Sequence, residues 1–527
     1  MKAALLAPSL EDACQRWSDR PALTHRGTTL TYEELWTKVV GLAGAYRWLG
    51  VRPGDRVVCQ LPTSAEHLVA MNAAWAAGAV YVGADSDLTG PELSWLVGRT
   101  EAAAVVFQPR ADATDPLGPV RAVRDEHPSV EVIADAPETR DLGCHSLTEL
   151  LASRHHPAPD GASQLFGSHD PALVLMTSGT TGKPKGVMET LPSMWAKFRF
   201  FADALAPGPD DVHLVYLPIA HAFGLKLSMT ALLSGGRLVM LDRFTPAEAL
   251  RLVTEERATV VSGTPTHFKL LVGALDPSRH RTNSLRWAVA AAAALSPPLL
   301  EEVYGRMGVE LLFVYGCTEG FLTQTTDRDQ IFRGSVGKEV FCGPEGTAPN
   351  GSVAVVNPED GRRLPPGEIG EIVFGARQPV RYWKDPDAAT DGWYRTGDLG
   401  RLDADGCVYV VGRLKDLVNR GGLKVAPGEV EAELVRHPDV ADGAILGTPD
   451  PVLGEAVCAC VVPAGAEPPP LVELRSFLGR SLARHKLPDE LCVLDTIPRS
   501  KISKVDRAAL RTKVVDADLP RERLRVR

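Results

Sequence analysis

The 527-residue chain has no surplus of positive charge: 57 lysines and arginines face 66 aspartates and glutamates, a formal charge of −9. That argues against a general nucleic-acid partner, although it leaves room for a local phosphate site. Clean apolar runs are also missing. The longest interior uncharged run, Leu68–Ala84, is about the minimum spanning length, but Asn72 and Gly78 break it, so it predicts a buried helix, turn and strand and no membrane span. Met1–Trp17 carries one lysine and only a short apolar stretch before Pro8, too little for a secretory segment. The nine cysteines show no zinc spacing, and their one close pair, Cys458-x-Cys460, lies in the apolar run Ala456–Pro463. They read as buried free thiols of a cytoplasmic protein.

The composition that remains is ordinary for a globular chain, with 44% apolar and 23% charged residues. Its length allows roughly three to four domains. Apolar strand-like runs alternate with helical patterns through most of it. Thr31-x-x-Glu34 is a capping-box pattern opening a helix with Leu35, Val39, Leu42 and Tyr46 on one face. Strand-like runs recur at Leu214–Leu217, Arg237–Leu241, Thr259–Val261, Trp287–Ala290 and Leu311–Val314, with helical patterns such as Pro246–Glu256 and Pro297–Arg306 between them. This alternation predicts largely parallel sheets with crossover helices. Past about residue 335, turn pairs such as Asn350-Gly, Pro366-Gly and Asp405-Gly crowd in, which predicts an antiparallel β subdomain. Alternation returns from Val418 onward.

The sharpest local signal is Thr177-Ser-Gly-Thr-Thr-Gly-Lys-Pro-Lys185, which follows the apolar run Leu173–Met176. Glycines admit backbone N–H groups to an anion, hydroxyls add donors and lysines add charge, which is the chemistry of a phosphate cradle. A Walker A loop is excluded, because only two residues separate Gly179 from Gly182 and Pro184 follows Lys183. Taken alone, the stretch could also be a plain surface hairpin. Likewise Asp398 in Thr-Gly-Asp reads as a turn residue, Glu319 as a surface acid, His221 as a core histidine and Lys504 as one charge of a solvated face.

The order of motifs changes that reading. Thr177–Lys185 resembles the signature of the adenylate-forming enzymes: acyl- and aryl-CoA synthetases, luciferases and nonribosomal-peptide adenylation domains. The resemblance continues in order through Pro218-x-x-His221-x-x-Gly224, Tyr315-Gly-Cys-Thr-Glu319, Tyr394-x-Thr-Gly-Asp398, Gly412-Arg413-Leu-Lys415-Asp, Gly421-Gly422-Leu-Lys424 and Pro498-Arg-Ser-Lys-Ile-Ser-Lys504. It implies an α/β fold: a large N-terminal domain, 1–412, of stacked, mainly parallel αβ subdomains plus a β subdomain, a hinge at 413–416, and a small mobile α+β domain at 417–527. It implies the ATP- and Mg²⁺-dependent joining of a carboxylic acid to AMP, then transfer to CoA. The acceptor stays open: a carrier-protein phosphopantetheine, or an amine, is the alternative.

Residue by residue, the resemblance assigns ATP to Thr177, Ser178, Gly179, Thr180, Thr181, Gly182, Lys185, Tyr315, Gly316, Thr318, Asp398 and Arg413. The metal falls to Glu319, and the catalytic roles to Lys504, Thr180, Glu319 and His221. The acyl pocket falls to His221, Ala222, Phe223, Ala290, Ala291, Ala292 and Cys317, the pivot to Lys415, and the pantetheine arm to Gly421 and Gly422. A carboxylate and a run of phosphates, both anionic, cannot meet without cations, which is the physical reason for Lys185, Arg413, Lys504 and a metal.

Three departures stand out. Ser503 precedes Lys504 where the family carries glycine. Ala290–Ala294 replaces a segment richer in serine, glycine and proline. Ala222 follows His221 where enzymes for 2-hydroxybenzoates carry asparagine, and Ala220–Leu225 holds no acid for an α-ammonium. The expected substrate is therefore an apolar or weakly polar acid, aryl or medium acyl, rather than salicylate or an α-amino acid.

Overall fold

The computed structural model describes residues 6–523 apart from 111–112, 136, 153–165, 178–183, 294, 340–352, 376–379, 387–392 and 500–504. Two large sheets dominate the N-terminal part. In one, the strands Glu131–Ala134, Ala102–Phe107, Arg56–Gln60, Val80–Gly83 and Pro171–Thr177 lie parallel side by side, and Lys185–Thr190 adds to them antiparallel. In the other, Glu310–Gly316, Trp287–Ala290, Val260–Gly263, Val212–Val215 and Arg237–Met240 form the parallel core of a nine-stranded sheet. Strands buried on both faces need continuous apolar sequence, and runs such as Leu311–Val314 supply it.

The crossover helices start as the sequence predicts. Thr31 and Glu34 form the reciprocal capping box of the helix Tyr32–Trp48. The expected helix Pro297–Arg306 is α-helical only over Pro297–Glu302 and widens into a π turn over Val303–Met307. Between the two sheets the helices Ala65–Ala76 and Ala222–Leu233 are buried almost all round, which explains why neither shows an amphipathic stripe.

The turn-rich region forms a four-stranded antiparallel sheet of Val353–Val356, Gly370–Gly375, Trp393–Leu402 and Val408–Arg413. One piece leaves it: Arg381–Tyr382 pairs with Lys185–Thr190 at the edge of the seven-stranded sheet. The C-terminal α+β part is a six-stranded sheet built on the long hairpin Val440–Asp450 with Gly454–Pro463, packed by the helices Pro427–Leu434 and Leu471–Leu478. Its core holds Cys458, Cys460 and Cys492, and the cysteines of the described residues are all free. Among the described residues no helix is long and apolar enough to cross a membrane.

Buried imidazoles give the fold an acid limit. Burial pushes His67 and His213 down to about 4. An unfolded chain binds protons at these positions near pH 6.5, whereas the folded chain refuses them until about 4. Stability is therefore intact above pH 6.5 and falls as pH drops toward 4, by on the order of 3 kcal/mol for each histidine. Melting temperatures measured from pH 7 to pH 4 should fall steeply in that window, and His67→Gln should flatten the fall.

Candidate active site

The functional side chains gather where the parallel strands of the nine-stranded sheet end, facing the four-stranded sheet. In open α/β sheets this carboxyl edge is where ligands bind. Glu310–Gly316 carries Tyr315 and Gly316 at its last two positions, and Cys317–Gly320 is a tight turn closed by Cys317 N–H donating to the Gly320 carbonyl at 2.8 Å and the reverse bond at 3.2 Å. Thr318 and Glu319 sit at the tip of that turn.

Asp398 reaches the same place from the four-stranded sheet by a bulge. The register of Gly370–Gly375 on Trp393–Leu402 slips between Glu371 and Val373, and Gly397 takes φ +71° there. The Asp398 backbone N–H donates to the Thr396 hydroxyl at 3.0 Å, and Thr396 in turn donates to the Ile372 carbonyl at 2.6 Å. A bulge adds a residue on one strand and turns the next side chain. The result is a buried carboxylate that accepts from the Tyr315 hydroxyl at 2.8 Å and pairs with Arg413 Nε at 2.8 Å. Asp398 and Arg413 are direct cross-strand partners, so register alone brings them together. Burial first, then the charge of Asp398, lifts the Tyr315 hydroxyl far above its usual range, so it stays a donor.

Glu319 has a different setting. Its carboxylate accepts from the Tyr382 hydroxyl at 3.0 Å, and among the described residues no cation pairs with it. A carboxylate with neutral partners and no paired cation suits a hard cation that keeps most of its waters, so the donor chemistry fits Mg²⁺. The Tyr382 ring also lies 5.3 Å beneath the Lys185 ammonium, whose other neighbour is Asp385 at 3.9 Å. Lys185 and Thr177 are cross-strand partners at the base of the 178–183 segment, with the Thr177 hydroxyl 3.4 Å from the Lys185 carbonyl. Burial and then Glu319's charge keep the Cys317 thiol well above its usual range and protonated.

The histidine loop owes its shape to glycine. His221 is the N-cap residue of Ala222–Leu233, half-exposed, with Nε2 3.8 Å from Asp85. A Cβ on Gly224 would stand 2.4 Å from the Pro218 carbonyl oxygen and 2.8 Å from that of Leu217. The Pro-x-x-His-x-x-Gly spacing is thus a steric requirement of this tight turn. Gly224→Ala should cost about 2 kcal/mol or more, read as a lowered melting temperature, and should raise KM for the acid substrate by displacing His221. A variant with unaltered melting would remove this explanation of the motif.

The alanine segment divides. Ala290 is buried in the cluster of Phe268 and Leu299, whereas Ala291 joins Phe200, Phe201, Leu227 and Val289, and Phe223 borders both clusters. Ala292 is exposed and held at φ +78°, so the backbone keeps a conformation suited to glycine at a cost of roughly 1 kcal/mol. Ala222 packs against the core of the first sheet. Gly421 and Gly422, at φ +58° and +86°, turn the hairpin between Val418–Arg420 and Leu423–Val425. Lys415 lies in a single 3₁₀ turn, Leu414–Asp416. Ser178, Gly179, Thr180, Thr181, Gly182 and Lys504 lie outside the described residues. Sequence reasoning passed over Tyr382, which touches both Lys185 and Glu319, and Lys197, which donates to the carbonyls of Thr318 and Glu319 at 3.2 Å each.

A layered α/β domain that meets an α+β domain beside such a carboxylate pair has the architecture of an adenylate-forming enzyme. The chain belongs to that group: it matches the AMP-binding enzyme family over residues 10–382 and the AMP-binding enzyme C-terminal domain over 429–504. It is 32% identical over 528 residues, 96% of this chain and 93% of the other, to a salicylyl-CoA synthase / salicylate adenylyltransferase of a Streptomyces species. Its fold matches ATP-bound MatB from Rhodopseudomonas palustris with a TM-score of 0.83 and 30% identity, over 98% of this chain and all of that one. The amide bond synthetase McbA from Marinactinospora thermotolerans matches with a TM-score of 0.82 and 28% identity, over 96% of this chain and all of that one.

Proposed function

We propose that this AMP-forming ligase activates an aryl or medium-chain acyl carboxylic acid with ATP and passes the acyl group to the thiol of CoA. A carboxylate oxygen of the acid bonds to the α-phosphorus of ATP while the bond to the β-phosphate oxygen breaks, giving acyl-adenylate and pyrophosphate. The thiol then bonds to the acyl carbon and AMP leaves. The observation that carries the reading is the junction of Asp398, Tyr315 and Arg413 beside Glu319. It offers a bidentate acceptor for a ribose diol beside a carboxylate that no described cation pairs, open to a metal ion.

In this reading Glu319 would hold Mg²⁺, which when bound offsets phosphate charge. Lys185 and Thr177 would face the β- and γ-phosphates, and Lys504 would neutralise the meeting carboxylate and α-phosphate. The apolar surroundings of Phe223, Phe201, Leu227 and Ala291 favour an apolar acyl group, and Ala222 offers no amide to a 2-hydroxyl. Free cysteines support a reducing, cytoplasmic setting.

A second reading keeps the first half-reaction and changes the acceptor to a carrier-protein phosphopantetheine or an amine. The likeness to an amide bond synthetase favours keeping it. Pyrophosphate release over a panel of carboxylic acids tests the acid, and a preference for α-amino acids would refute the pocket argument. CoA, a phosphopantetheinylated carrier and simple amines, added to the preformed adenylate, separate the acceptors.

A further inference from the structure

Behind the Thr318–Glu319 turn, three charged side chains cluster in the large domain, two of them buried and Lys197 partly so. Lys226, in the middle of the helix Ala222–Leu233, has no exposed side-chain surface, and Glu189, on the strand Lys185–Thr190, has 2%. Lys226 Nζ donates to Glu189 Oε2 at 2.8 Å and lies 5.6 Å from the Phe198 ring centre. The other carboxylate oxygen, Glu189 Oε1, pairs at 3.0 Å with Lys197 from the helix Leu191–Leu205. Lys197, at 12% exposure, donates at 3.2 Å to both the Thr318 and the Glu319 carbonyls.

We propose that Lys226, Glu189 and Lys197 form a positioning unit that holds the Thr318–Glu319 turn in a fixed place relative to the strand Lys185–Thr190. The inference rests on the reading that Glu319 and Thr318 face the metal and the α-phosphate. Glu189 stands four residues beyond Lys185 on the same strand, so the unit ties the strand that carries Lys185 to the Thr318–Glu319 turn. The turn bonds its Cys317 and Gly320 backbone groups to each other, which leaves the carbonyls of 318 and 319 as its outward acceptors, and Lys197 takes both. Glu319 is then held at each end, its carbonyl by Lys197 and its carboxylate by Tyr382.

Stability alone does not account for the cluster. Replacing a buried ion group by apolar side chains of similar volume is often neutral or stabilising. Burial pulls Lys226 down to about 8, a sign of how unfavourable its charged form is there, while Lys197 and Lys226 keep the Glu189 carboxyl below its usual range against the opposing effect of burial. What the arrangement does supply is a lysine ammonium held between the Glu189 carboxylate and the two carbonyls of the turn.

The test uses the full-length protein. Lys197→Met, Lys197→Arg, the pair Glu189→Leu with Lys226→Met, and Glu319→Gln as control are compared by melting temperature, by pyrophosphate exchange, and by calorimetric binding of a non-hydrolysable ATP analogue across a Mg²⁺ titration. Lys197→Met should raise the Mg²⁺ needed for half-maximal analogue binding about tenfold and lower kcat between about 10- and 100-fold, with KM for the acid changed less than about twofold. Lys197→Arg should restore most of both, and the Glu189/Lys226 pair should fold and show a smaller loss in the same direction. Should Lys197→Met precipitate, Lys197→Gln, which keeps a donor without the charge, should shift Mg²⁺ dependence the same way. A folded Lys197→Met with the parent's Mg²⁺ dependence and kcat, while Glu319→Gln loses both, would overturn the positioning role alone. A Glu319→Gln variant that behaves like the parent would overturn the assignment of Glu319 and this proposal with it.

Discussion

Asp398→Ala is expected to lower kcat/KM for ATP by about 10²- to 10⁴-fold and to leave KM for the acid within a few-fold. Both Asp398 oxygens already have partners, Tyr315 on one and Arg413 on the other, yet a carboxylate has about four acceptor sites. A ribose diol can therefore add two charge-assisted bonds to a group that needs no reorientation. Each such bond contributes about 1.5–3 kcal/mol, and their sum gives the stated range. Asp398→Asn should recover only part of the loss, because its amide can accept through one oxygen and presents N–H groups to Arg413 or the ribose. Substrate-dependent pyrophosphate exchange, with ATP and the acid varied separately, distinguishes a nucleotide effect from general collapse. An Asp398→Ala enzyme with an unchanged KM for ATP and normal turnover would sink the ribose assignment.

That assignment was legible in the sequence only as a motif. Tyr-x-Thr-Gly-Asp names the residue, but its orientation comes from the bulge at Gly397 and its ion pair from cross-strand register with Arg413, both properties of pairing that spacing along the chain does not encode. Gly224 was legible more fully, since a glycine closing a tight turn is a local steric matter. Tyr382 was not. It lies 63 residues beyond Glu319 on a two-residue strand that joins a different sheet from its sequence neighbours. The charged triad left one trace, a lysine in the centre of an otherwise uncharged helix, and that trace acquires meaning only when Glu189 and Lys197 are brought to it by two other elements. Fold class was readable because alternation of strand and helix is a long-range statistical pattern. The site was readable where glycines and motif order marked it, and unreadable where tertiary contact alone made the connection.

Lys504→Ala should lower adenylation by about 10²- to 10³-fold, as loss of one preorganised charge from the reacting centre would, and should spare thioester formation from a preformed acyl-adenylate. The asymmetry is what the implied rotation of the C-terminal part predicts, and the tethers at its chain ends are compatible with it. Arg499 and Val505, on either side of 500–504, bridge antiparallel to each other, and Asp506 N–H donates to the Pro498 carbonyl at 2.9 Å. Arg499 pairs with Asp442 at 2.8 Å, while Arg507 holds Asp416 at 3.1 Å and Glu431 at 2.9 Å. The ends of the lysine segment are therefore fixed to the C-terminal sheet. On the other side, Arg413 is fixed to Asp398 of the large domain. Only Leu414 and Lys415 lie between the two anchors, Asp398–Arg413 and Asp416–Arg507, so a rotation there would move 500–504 and the Gly421–Gly422 hairpin as one body. The resemblance to the adenylate-forming enzymes implies that one orientation presents the lysine and another the hairpin. Single-turnover assays starting from ATP plus acid, and separately from synthetic acyl-adenylate plus CoA, measure the two halves. Equal losses in both would show that Lys504 serves a single fixed site and that no exchange of surfaces separates the half-reactions.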